Sequence, residues 1–158
     1  MAYSSVLRDA LQSFFDSSGI TVSFSEKGGY GIFSFRVKVR SKLQNVQTIV
    51  IVREDNYSAL ITLPLAADED HRLAVAEYLT RANFNLRIGN FELNMESGEI
   101  RYKTYVASMD APDPVIIRNS IFLPLAMIDR FGDGLLEVLF GFRSPKEAFD
   151  AIANTPAT

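Results

Sequence analysis

The sequence contains no cysteine. That absence excludes disulfides, thiolate zinc sites and cysteine nucleophiles, and it is compatible with a reducing compartment. Histidine is almost absent too. His71 is the only one, so a Ser-His-Asp relay or a histidine metal site would rest on a single imidazole. No apolar run approaches the ~20 residues that span a bilayer. Met1 to Ser5 also lacks the basic start and apolar run of a secretory signal, so the expected location is cytoplasmic, with no membrane partner. There is no repeat and no phosphate loop, because Gly28-Gly29-Tyr30-Gly31 joins two extended runs and opens no helix. Acidic residues are missing between Lys27 and Arg53, where six basic residues stand, although the net charge is −3. The overall sign argues against general nucleic-acid binding, and the local one leaves it open.

At 158 residues and 47% hydrophobic, the chain can bury one core of ordinary size. One domain over residues 1–153 is expected, with 154–158 frayed. Its organising stretch is Asn83 to Lys103, which reads as a long β-hairpin: Leu86 and Ile88, then Phe91, Leu93 and Met95 alternate with polar neighbours. The face switches at Gly89-Asn90, as at a bulge, and Ser97-Gly98 supplies the turn.

In chain order, Ser4 and Ser5 cap a helix whose Val6, Leu7, Ala10, Leu11, Phe14 and Phe15 form one stripe, ended by Gly19. Ile20, Val22 and Phe24 begin a strand. Phe33, Phe35, Val37 and Val39 alternate with Ser34, Arg36, Lys38 and Arg40, giving one apolar and one basic face. Val46 to Arg53 is a third strand and Tyr57 to Leu63 a fourth, closed by Pro64. Short turns make this meander antiparallel. Asp68 reads as the N-cap of a helix to about Ala82, with Glu69 and Asp70 in its first turn. Asp113-Pro114 opens another helix, which Pro124 should kink or restart and Gly132-Asp133-Gly134 should break. Ser144-Pro145-Lys146-Glu147 is a capping box for a last helix to about Ala153. The order predicts an α+β, two-layer domain in which helices cover one face of an antiparallel sheet.

Several motifs carry a family resemblance. Gly89-x-Phe91-Glu92-Leu93 and Gly98-Glu99-Ile100-Arg101-Tyr102-Lys103 resemble the hairpin of the YbjN-like family, bacterial proteins labelled sensory transduction regulators. Asp129-Arg130-Phe131 with Leu139-Phe140-Gly141, and Ser144 to Ala148, resemble its C-terminal region, so the likeness spans residues 57–153. Gly132-Asp133-Gly134 departs from the Pro-Gly pair of relatives. The resemblance implies a fold similar to type III secretion chaperones, small dimers that hold segments of partner chains. It also implies a non-enzymatic, chaperone-like adaptor or regulator that binds another protein as a homodimer, and no cofactor.

Candidate sites follow from residue type. Asp68, Asp70 and His71 could be imagined as metal ligands, but a helix start whose acids complement the dipole explains them better, so no metal is expected. Glu96 and Glu99 flank a hairpin tip where both would be wet, which denies them the desolvation that acid-base work needs. No catalytic set is assigned. Glu92 and Glu99, with Arg87, Arg101 and Lys103, should pair across the two strands as the polar side of the hairpin. Asp129-Arg130, between apolar runs, should be satisfied internally, the Arg forking onto a carboxylate. Tyr57, Tyr102 and Tyr105 could line a groove for a partner peptide. The expected partner-binding set is Tyr57, Arg87, Phe91, Glu92, Arg101, Tyr102, Asp129 and Arg130. The alternative is a nucleic-acid interface on Arg36, Lys38 and Arg40. A dimer contact is expected on the helices from Val115 to Phe142.

Overall fold

The computed structural model describes residues 2–154. Of the expected frayed tail, residues 155–158 lie outside them, as does Met1. The elements are α1 (Ser5–Ser17), β1 (Ser23–Lys27), β2 (Tyr30–Lys38), β3 (Asn45–Val52), β4 (Asn56–Ala66), α2 (Arg72–Asn83), β5 (Asn90–Leu93), β6 (Glu99–Ala107), α3 (Pro114–Leu139) and α4 (Pro145–Ala153). The strands form one sheet in the order β1-β2-β3-β4-β6-β5, every pair antiparallel. The architecture is the α+β one that the element order predicts.

All four helices lie on one face. Towards one end, Phe33, Phe35, Val50, Val52, Tyr57 and Ala59 of the sheet pack with Leu7, Leu11 and Phe15 of α1 and Ile117 and Ile121 of α3. Towards the other, Ile61, Ile100 and Tyr102 meet Val75, Tyr78 and Leu79 of α2 and Ile128, Leu135 and Val138 of α3. Helix α1 shows why the local sequence folds this way. The Ser4 hydroxyl accepts the Leu7 amide at 3.1 Å, Leu7, Leu11 and Phe15 recur every four residues on the buried side, and Gly19 follows with φ +69°. Each such side chain contributes roughly 1.5–3 kcal/mol relative to exposure.

Ile20 and Val22 precede β1 and pack on the core from the α1–β1 link, and four larger details also differ from the sequence reading. Pro64 lies inside β4, where the register slips between Thr62 and Ala66; a residue with no amide proton is tolerated at such an irregularity. Asp68 does not cap α2. Its carboxylate closes the preceding turn, accepting the His71 amide at 3.0 Å, so Glu69 and Asp70 fall before the helix and its first turn carries no acid. The hairpin is shorter than its alternation suggests: Leu86 and Ile88 belong to the link between α2 and β5, and residues 94–98 form the loop, with the Asn94 side chain accepting the Glu96 and Ser97 amides at 2.9 and 3.2 Å. The apparent change of face at Gly89-Asn90 is the end of that link.

The fourth difference is α3, a single helix of 26 residues that runs through both Pro124 and Gly132-Asp133-Gly134. Proline leaves the carbonyl four residues earlier, that of Ser120, without its helical donor. Thr104 of β6 supplies one, its hydroxyl donating to the Ser120 carbonyl at 2.7 Å. The two glycines are places of close approach. A Cβ on Gly132 would stand 2.8 Å from the Ser41 Oγ, and one on Gly134 would stand 2.5 Å from the Tyr78 hydroxyl oxygen. That hydroxyl donates to the Phe131 carbonyl at 2.6 Å. Packing across the helix thus outweighs the poor helix propensity of glycine.

Candidate functional site

Because the helices occupy one face, the alternate residues of every strand stand on the other. Register fixes them in rows. One row runs Ser25, Ile32, Ile51, Ser58, Tyr105 across β1, β2, β3, β4 and β6. The next runs Ser34, Ile49, Leu60, Lys103, Asn90, and the third Arg36, Gln47, Thr62, Arg101, Glu92. Ile32, Ile49, Ile51 and Leu60 are adjacent and half-buried by their own neighbours, and they belong to neither core cluster. The open face is therefore an aliphatic patch bordered by polar and cationic rows.

Its border is partly self-satisfied. Glu92 Oε2 accepts Arg101 Nε at 2.6 Å, and Glu92 Oε1 lies 3.6 Å from Lys103 Nζ. The Gln47 amide donates to the Ser34 hydroxyl at 2.8 Å, and the Arg53 guanidinium stands over the Tyr30 ring at 5.4 Å. Arg36 and Lys38 are exposed and make no ion pair among the described residues. Glu92, Leu93, Asn94, Glu99 and Arg101 line a shallow cleft beside the hairpin loop.

The predicted residues separate into groups. Tyr57, Phe91 and Tyr102 are 0%, 4% and 1% exposed, so their side chains shape the core and cannot meet a partner directly. Tyr105 is 61% exposed on the open face. Glu92 and Arg101 pair as expected, while Arg87 is exposed in the α2–β5 link and takes no part in that pairing. Asp129 is satisfied internally by backbone, in place of an arginine fork. Its Oδ1 accepts the Arg40 and Ser41 amides at 2.6 and 2.9 Å, and Asp133 Oδ1 accepts the Lys42 amide at 2.8 Å. Arg130 instead places its guanidinium 5.9 Å from the Phe131 ring centre. Arg36 and Lys38 share the open face, and Arg40 is exposed at the start of the loop that Asp129 holds.

The aliphatic patch is what the sequence reading missed. Its signal was present in β3: the run Ile49-Val50-Ile51-Val52 is apolar at both parities, so both faces of that strand carry hydrophobes. In β2 the alternation is clean, and its open-face positions beyond Ile32 are polar or basic.

Asp68 Oδ1 lies 2.7 Å from His71 Nδ1, and that hydrogen bond holds the Asp68 carboxyl below the usual range. Glu96 and Glu99 are exposed at the loop. Among the described residues no group of three acid, histidine or cysteine side chains could hold a metal ion. Tyr57, Tyr78 and Tyr102 have raised hydroxyl pKa values, caused first by burial. Tyr57 lies 2.7 Å from the Ser120 Oγ, and since the Ser120 proton goes to the Ile117 carbonyl, Tyr57 is the donor.

Among the described residues no helix is long and apolar enough to cross a membrane. No curated protein matches the chain. Family comparison takes in α1 and the whole first meander, which reaches further toward the N-terminus than the motifs at 57–153 do, and it stops within α3, ahead of Ser144. The chain belongs to the YbjN family, described as "putative bacterial sensory transduction regulator", with residues 7–137 matched.

Proposed function

We propose that this protein is a non-enzymatic regulator or adaptor that binds a partner protein through the uncovered face of its sheet and works as a homodimer. The observation that carries the reading is the patch of Ile32, Ile49, Ile51 and Leu60, which the fold leaves outside both core clusters. An apolar patch rimmed by polar groups has the composition of an interaction site. The family's description as a regulator is consistent with such a role. For the dimer, the surface available to a second copy is Val115, Ile116 and Leu123 of α3 with Phe140 and Phe142 beyond it, which are 39–79% exposed.

The test is a tagged pull-down from the native host, read by mass spectrometry, with high-salt and nuclease arms and with an Ile49→Ser/Leu60→Ser variant alongside. A stoichiometric protein that survives both treatments and is lost with the variant supports the reading. Retention by the folded variant removes the sheet face from it. Light scattering that finds a monomer at micromolar concentration removes the dimer. The second reading, nucleic-acid association, draws on exposed Arg36, Lys38 and Arg40. Loss of all bound material under nuclease would favour it.

A further inference from the structure

We infer that the occupant of the open sheet face is an acidic amphipathic helix of the partner, with its aliphatic stripe on Ile32, Ile49, Ile51 and Leu60 and its carboxylates toward Arg36 and Lys38. This rests on the adaptor reading above and names the chemistry of the ligand. Two features of the face select that occupant.

The first is dimension. The patch spans β2, β3 and β4. Three strands about 4.8 Å apart present a strip close to 10 Å wide, the width of one α-helix. The opposite face of the same sheet is already covered by helices in this manner.

The second is charge. No open-face position of β1, β2, β3 or β4 carries an acid, although the whole chain is at −3. Of the acids on β5 and β6, Glu92 is engaged with Arg101 and Lys103, and Glu99 stands at the loop end of β6, opposite Ala66 and three strands away from β2; Arg36 and Lys38 are exposed and make no ion pair among the described residues. Carboxylates on the ligand would complete this rim and set its orientation. The same face of a second copy would bring a second set of cations against the first. A single-stranded nucleic acid would need planar rings at the centre on which to stack its bases. The centre is aliphatic; of the two tyrosine rings on this face, that of Tyr30 already carries Arg53, and Tyr105 stands apart on β6, outside the β2–β4 patch.

The test uses the full chain and synthetic helix-forming peptides of about 18 residues, five turns. One peptide has a leucine stripe flanked by glutamates; a second replaces the glutamates with lysines; a third replaces the leucines with alanines. A single-stranded oligonucleotide is the rival probe. Binding is followed by fluorescence anisotropy at about 50 and 300 mM salt. The glutamate-leucine peptide alone should bind. Its affinity should fall roughly tenfold with Arg36→Glu/Lys38→Glu and with added salt, and Arg36→Lys should retain it. Circular dichroism establishes that each variant is folded. Equal binding of the lysine peptide, tighter binding of the oligonucleotide, or no binding of the glutamate-leucine peptide below about 1 mM would overturn the proposal. In the last case, a pull-down partner still lost with Ile49→Ser/Leu60→Ser would leave the adaptor reading standing and the helix wrong. If that variant kept its partner, both would fail.

Discussion

Thr104 and Ser120 are joined by a hydrogen bond, hydroxyl to backbone carbonyl at 2.7 Å, that repairs the helical bond Pro124 cannot make. Both groups are buried, so the cost of deleting the donor is that of stranding a buried acceptor. Thr104→Val, nearly isosteric, should lower the unfolding free energy by about 1–3 kcal/mol. Pro124→Ala restores an amide donor to the same carbonyl. In that background Thr104→Val should cost less, with a coupling of about 1 kcal/mol in a double-mutant cycle followed by circular dichroism in urea. Strict additivity would show that the carbonyl does not depend on Thr104.

The outer edge of the sheet at β5 is closed by one side chain. The Asn83 carboxamide, at the end of α2, donates to the Phe91 carbonyl at 2.9 Å and accepts the Phe91 amide at 2.8 Å. It acts as a one-residue substitute for a further strand. Asn83→Ala should destabilise the fold by about 1–3 kcal/mol and open the edge to intermolecular pairing. Static light scattering during slow heating should detect aggregation earlier than in the parent. Asn83→Asp keeps an acceptor but loses the donor, so it should fall between the two.

Alkali should unfold the protein through its buried tyrosines. Burial pushes Tyr102 up to about 12 and raises Tyr57 and Tyr78 as well. In the unfolded chain these groups ionise near pH 10. Above that value the native state therefore binds more protons than the unfolded one, and stability falls as pH rises. For Tyr102 the contribution is complete below about pH 10 and is lost on the way to 12. Urea titrations at several pH values should show flat stability near neutrality and a decline in alkali. Tyr102→Phe loses the hydrogen bond to the Ile88 carbonyl and so starts lower, but it should decline less steeply, by up to about 1.4 kcal/mol per pH unit. Equal slopes would mean that Tyr102 ionises alike in both states.

Local rules were sufficient wherever one residue decides a local event. The Ser4 and Asp113 caps, the Ser144 cap of α4, the Gly19 stop and the antiparallel meander all follow from nearest-neighbour chemistry. They were insufficient wherever a distant partner decides. Pro124 and Gly132-Asp133-Gly134 have the local character of helix breakers, yet Thr104, Ser41 and Tyr78, all remote in sequence, convert them into contacts. Tyr57 and Tyr102 have the composition of groove residues, and remote partners make them core: Ser120 of α3 meets the Tyr57 hydroxyl, while Phe91 and the Ile88 carbonyl enclose Tyr102. The candidate site was half legible: the basic positions Arg36 and Lys38 stood out, while the aliphatic patch needed the register of β2, β3 and β4 to assemble it.

Asp129 offers the most direct check on how α3 holds the β2–β3 loop. Its carboxylate reaches from α3 to the β2–β3 loop and gathers the Arg40 and Ser41 amides, with Asp133 taking the Lys42 amide one turn on. Three successive loop amides thus end on two carboxylates of one helix, and Gly132 between them allows the loop to approach. Charge-assisted bonds of this kind are about twice as strong as neutral ones. Asp129→Ala should lower stability by about 1.5–3 kcal/mol and should raise hydrogen exchange at Arg40 and Ser41, leaving the β5–β6 hairpin protected. Asp129→Asn keeps a neutral acceptor and should lose about half as much. Since β2 leads directly from the open face into this loop, the same variant should also loosen the positions of Arg36 and Lys38. Exchange that rises uniformly across the sheet would show that the carboxylate supports the whole fold and not the loop alone.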